Sequence, residues 1–182
     1  CGSGQSSSVR VDDRRAAADM TAYLYDQGHR DIGFVAPPRH HAAAARRLDG
    51  FVSALAERGM TVRPDHIIEG AFTTVSGMEA GWKLLDHPVR PTAIFAANDE
   101  MAAGVMIAAY QRNISLPDDL SLVGFDDSPV SRSLYPLLTT VRQPTAEMAE
   151  EAARILIERN RPSQATLDFE LILRDSVKAL PR

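Results

Sequence analysis

The chain has 182 residues, 45% hydrophobic and 24% charged, with a formal net charge of -4. That length suits one domain, or two only if both are small, and the slight acidity lacks the basic footprint of a nucleic-acid-binding domain. A single cysteine, Cys1, excludes an internal disulfide framework and a cysteine-based zinc site. No apolar run is long enough for a membrane span, and no apolar stretch follows a basic start as in a signal peptide, so a cytoplasmic protein is expected.

Residues 1–8, "CGSGQSSS", read as a flexible tail or a junction. "SVRVDD" (8–13) alternates briefly as a short strand. A helix follows, with Ala16, Met20 and Tyr23 on one face and Gly28 at its end. "DIGFVA" (31–36) is a compact apolar strand closed by Pro37 and Pro38. A helix is expected from about His40 to Arg58, where Ala44, Leu48, Phe51 and Leu55 share a face. "HIIEGAF" (66–72) predicts a short strand, and Met78, Trp82 and Leu85 mark the next helix, with Pro88 past its end. "TAIFAA" is a strand, followed by a helix from Asp99 to about Arg112. "LSLVGFDD" (120–127) is an apolar strand ending in carboxylates. "LTTVRQP" (138–144) is extended, because Pro144 biases its predecessor away from helix. Met148, Ala152 and Ile155 mark a helix, and "DFELILRDSV" (168–177) reads as a final strand.

Apolar strands alternating with helices predict an α/β fold: a parallel sheet with helices on both faces, an α/β/α sandwich. Ligands of such sheets sit outside the carboxyl ends of the strands. Asn98, Asp126 and Phe72 all stand at or just past such ends, and Arg47 lies in the first turns of the helix after another strand. Asn98 has two readings at this point. It can cap the following helix, or it can point into a cleft and grip a polar ligand.

Five stretches, "GHRDIGFV", "RRLDGFVSAL", "RPTAIFAANDEMAAG", "LPDDLSLVGFDD" and "YPLLTTVRQP", together resemble the LacI/GalR family of bacterial transcriptional regulators, in the family's order and spacing. The resemblance covers roughly Val9 to Ser176. It implies a periplasmic-binding-protein-like lobe, the second of two that enclose a small effector. It also implies that the family's helix-turn-helix, its hinge helix and most of its first lobe fall outside this sequence. On this reading residues 9–28 and 141–160 carry remnants of the first lobe. Residues 29–140 form the effector-binding lobe, and 161–182 hold a return crossover and the lobe's final strand.

The resemblance assigns roles by position. Arg47 matches the arginine that contacts effector hydroxyls or carboxylate, a task its planar fork of donors suits. Otherwise it is a solvated helix arginine like its neighbour Arg46. Asn98 matches the effector-binding asparagine, with Asp99 as a cap or supporting group. Asp126 matches the carboxylate that accepts from two adjacent hydroxyls, with Asp127 structural; otherwise the pair is a turn and helix cap. Phe72 matches an aromatic beneath the effector ring; otherwise it is core. His41 and Ala43 occupy pocket-lining positions. A metal at His40 and His41 is disfavoured, because adjacent helical residues point apart.

No P-loop, nucleophile elbow, GxGxxG or HExxH motif is present, so no enzymatic activity and no cofactor are expected. The resemblance implies the effector-sensing part of a regulator that responds to a sugar-like molecule and reaches operator DNA only through a domain outside this sequence. A free-standing periplasmic-type sugar-binding protein is the alternative. The family forms dimers, and Val105, Ala109, Leu134 and Tyr135 are the candidate contacts.

Overall fold

The computed structural model describes residues 7–38, 41–158 and 163–181. Most of the expected tail therefore lies outside the described residues, as does His40. Among the described residues no helix is long and apolar enough to cross a membrane.

The core is a four-stranded parallel sheet in the order β3-β2-β4-β5, made of β2 (Ile32–Ala36), β3 (Ile67–Glu69), β4 (Ala93–Ala96) and β5 (Ser121–Val123). Every residue of β2, β4 and β5 is buried, as expected of strands covered on both faces. The helices α2 (Ala42–Ala56), α3 (Thr74–Leu85) and α4 (Asp99–Tyr110) connect consecutive strands. Right-handed crossovers place α2 on one face and α3 with α4 on the other. Neighbouring residues of β2 show both faces. The Phe34 ring stacks on Phe51 of α2 at 4.8 Å, whereas Gly33 faces Leu84 of α3.

Helix α1 (Asp13–Asp26), expected to stand with the first lobe, packs instead along α2 and buries Ala16, Ala17, Met20 and Leu24. Gly50 of α2 permits this contact, since a Cβ there would lie 2.1 Å from the Arg14 carbonyl oxygen. On the other face, Gly77 and Gly104 bring α3 and α4 into backbone contact. A Cβ on Gly104 would sit 2.0 Å from the Thr74 carbonyl oxygen. This close crossing corrects the expected dimer contacts: Val105 and Ala109 are 0% exposed and packed within the chain, so neither can meet a partner. Leu134 is partly buried against the core, and Tyr135 is 94% exposed.

Two smaller sheets complete the chain. β1 (Ser8–Val11) pairs in parallel with β7 (Gln164–Leu167), a strand the sequence pattern does not announce. β6 (Thr140–Arg142) pairs antiparallel with β8 (Glu170–Ile172), which is shorter than the strand expected over 168–177. Beyond β8 the chain runs back beside β5, where the Leu122 N–H donates to the Ser176 carbonyl at 2.8 Å. Helix α5 (Thr145–Glu158) lies near β1, and none of its described residues is buried.

Candidate effector site at the carboxyl edge of the sheet

Four strands end at one edge, and the residues that follow them meet there. Arg47, in the second turn of α2, is buried. Its Nε donates to Asp13 Oδ1 at 2.9 Å, and one terminal nitrogen donates to the Ala97 carbonyl, just past β4, at 2.5 Å. The same nitrogen lies 3.6 Å from Asp126 Oδ1, past β5. The guanidinium lies over the Phe125 ring, 3.6 Å from its centroid, a cation–π arrangement that fixes the plane of the fork.

Asn98 carries out its first reading. Its Oδ1 accepts from the Met101 N–H at 3.0 Å and caps α4, while Nδ2 donates to the Phe72 carbonyl at 3.2 Å. The cap thus ties the turn after β4 to the turn after β3. The Phe72 ring meets His41 edge-on at 5.2 Å. His41 stands exposed at the N-cap of α2, and Ala43 is half-buried in its first turn.

Backbone strain concentrates here. Phe72 (φ 61), Asp126 (φ 113) and Asp127 (φ 52) are three of the four non-glycine residues with positive φ among those described. For a bulky residue such as Phe this conformation is a true outlier, and it persists only where surrounding structure enforces it.

Three adjacent carboxylates behave differently. Burial raises Asp126, and Arg47 and Gln143 partly restore its charge, Gln143 by donating Nε2 at 2.6 Å. Its side chain is 34% exposed and keeps acceptor capacity toward solvent. Asp99 is pushed up to about 6 by burial, against bonds from the Thr140 hydroxyl (2.6 Å) and the Ser128 N–H (2.7 Å). Burial also acts on Asp127, but Arg132, Arg174, Arg142 and Ser131 outweigh it and hold the carboxyl well below its usual range. Asp127 is structural, with the guanidinium groups of Arg132, Arg142 and Arg174 as its chief partners.

Three participants are missing from the sequence reading. Asp13 is buried at the start of α1 and holds both Arg46 (2.9 Å) and Arg47, so Arg46 is not merely solvated. Gln143 reaches in from the segment after β6, and Phe125 floors the arginine. Gln143 lies inside the quoted "TTVRQP", and Phe125 directly precedes the carboxylates; either could have been suspected from position. Asp13 carries no local signal, since its partners are more than thirty residues away. A separate depression of about 420 Å³, lined by Ala36, Ala44, Leu48 and Ile67 among others, contains none of Arg47, Asn98, Phe72 or Asp126.

Comparison with known proteins gives the family of the chain. The periplasmic binding protein-like domain family matches residues 21–177. The HTH-type transcriptional repressor CytR of Escherichia coli (strain K12) is 39% identical over 178 residues, covering 95% of this chain and 52% of CytR. The solved complex of the transcriptional regulator CelR with cellobiose matches with a TM-score of 0.91 at 33% identity, over 96% of this chain and 55% of CelR. A LacI family regulator from Enterococcus faecium with bound ribose matches with a TM-score of 0.89 at 29% identity, over 100% of this chain and 69% of that one. The chain spans about half the length of the curated relatives it matches.

Proposed function

Since this chain belongs to the LacI family of periplasmic-binding-protein-like domains, we propose that it is the effector-sensing lobe of a transcriptional regulator. The carrying observation is the convergence of Arg47, Asn98, Phe72 and Asp126 on one strained, polar edge. In this reading residues 29–140, with α1, form the lobe, while β1, α5 and β7 belong to a companion lobe. The segments around Asp12, Arg142 and Asp168 cross between them. A small ligand bound between the lobes favours one relative angle, and DNA affinity follows, provided that the ligand binds the two states unequally.

Charge balance supports an uncharged, hydroxyl-rich effector. Arg46 and Arg47 face Asp13 and Asp126, so the cluster has no net charge to offer an anion. Asp126 accepts from hydroxyls, Phe72 offers an apolar face, and Arg47 presents its remaining donors. A relative's bound ribose and another's cellobiose fit this class. Calorimetry on the full-length regulator with ribose, cellobiose and nucleosides tests it. One of these binds at micromolar affinity, and Asp126→Asn weakens it at least tenfold. Equal affinity in the variant removes Asp126 from the site.

Self-association, in the same reading, uses the exposed rim of α4 and the loop beyond it. Ile107, Tyr110, Tyr135 and Leu137 are exposed there around a depression floored by Met106 and Ile114. An apolar patch of this kind suits a second copy of the chain. Sedimentation should show a dimer that Tyr135→Glu shifts toward monomer; an unshifted equilibrium would place the interface elsewhere.

A further inference from the structure

Two of the five histidines meet at the opposite edge of the sheet, by the amino ends of the strands. His66 closes the turn Pro64–His66 that leads into β3, and His87 lies between α3 and β4. Together with Asp65 they offer one ligand atom each, all within 4.8 Å of one another. The rings stand perpendicular with centroids 5.1 Å apart, and His87 Nε2 is 3.0 Å from Asp65 Oδ2.

A second feature points to a ligand. The Val89 carbonyl lies 2.8 Å from His66 Nε2 and 2.9 Å from His87 Nδ1. Metal-bound histidines characteristically donate their second ring N–H to a carbonyl or carboxylate, which fixes tautomer and ring orientation. Here one carbonyl lies within hydrogen-bond distance of a nitrogen of each ring, placed to accept from both once those nitrogens carry the protons. Burial completes the arrangement: His66 is 1% exposed and held in place, while Asp65 opens the cluster to solvent.

We propose that Asp65, His66 and His87 bind one divalent transition-metal ion of the zinc type. Two imidazoles and one carboxylate match zinc's donor preference, whereas calcium and magnesium favour all-oxygen shells. Water takes the fourth position. In the metal-free tautomer that accepts the Val89 N–H at Nδ1 (3.1 Å), the His87 proton sits at Nε2 toward Asp65. On binding, the ring stays neutral: its proton moves to Nδ1 and is donated to the Val89 carbonyl, freeing the Nε2 lone pair. The ion ties the entry of β3 to the entry of β4, across the sheet from the effector residues. Its effect is therefore on stability and not on effector contact, and mass action sets its size.

The tag-free chain is titrated with zinc by calorimetry and with cobalt by visible absorption. One equivalent binds, cobalt shows the d–d bands of a low-symmetry site, and zinc raises the melting temperature. His87→Ala and Asp65→Asn each weaken zinc at least tenfold and abolish its thermal effect. Asp65 is exposed, so its variant decides the matter should His87→Ala fail to fold. Absence of one-equivalent binding, or unchanged affinity in the folded variants, would overturn the assignment.

Discussion

The four-stranded sheet and helix α5 are both built from ordinary apolar patterning, with opposite outcomes. In β2 every residue from Ile32 to Ala36 is buried beneath helices on two faces. In α5 the same kinds of side chain reach no core, and Leu156 and Ile157 are 73% and 80% exposed. Periodicity decides which face of an element is apolar; only the rest of the chain, or another lobe, decides whether that face is covered. The sheet edge is correspondingly over-determined, with an arginine clamped by Asp13, Ala97 and Phe125, and it can hold strained residues such as Phe72.

The contrast is sharpest in the core. Phe51→Ala removes a ring stacked on Phe34 and should cost about 3–5 kcal/mol by urea denaturation. A loss under about 1 kcal/mol would mean that the sheet is not the stabilising unit.

The next effect is electrostatic. Burial pushes the folded Asp99 carboxyl up to about 6, above the 3.8 of a free aspartate. Between those values the folded state keeps a proton that the unfolded chain has released. The stability it contributes therefore falls as pH rises through that window, by about 3 kcal/mol at about 1.4 kcal/mol per unit. Asp127, held low, acts oppositely: its stabilisation is present above the unfolded pKa and is lost as pH falls through the folded one. Only a difference isolates Asp99. Relative to wild type, Asp99→Asn should gain stability between about pH 4 and about pH 7. Parallel pH curves for the two proteins would sink this account.

The smallest effect belongs to α5. Ile157→Ala should change the stability of this chain by less than about 0.5 kcal/mol, because nothing buries that side chain. A larger loss would show that α5 has a partner within the chain or in a second copy.

Much of this architecture is legible in the sequence, for identifiable reasons. Strands buried on both faces write continuous apolar runs, so β2, β4 and β5 stand out. Asn98 before Asp99 and Glu100 writes a helix start, and the cap is there. Val105 and Ala109 read as surface contacts because α4 is apolar almost all round. Most of such a helix is buried: Gly77 and Gly104 let α3 approach closely enough to cover that face, and only a rim with Ile107 and Tyr110 stays exposed. β7 hides because "QATL" is short and half polar, and its pairing with β1 spans most of the chain. The Asp13 clamp is invisible for the same reason: tertiary packing of α1 on α2 creates it.

Operator-binding titrations of the full-length regulator, with and without saturating effector, test the central claim most directly. If the carboxyl edge senses the effector, the ligand changes the wild-type operator affinity by roughly 5- to 150-fold. Asp126→Asn then binds operator normally but needs at least tenfold more ligand for the half-maximal change. An unshifted ligand dependence in the variant would contradict the assignment of this edge as the effector site.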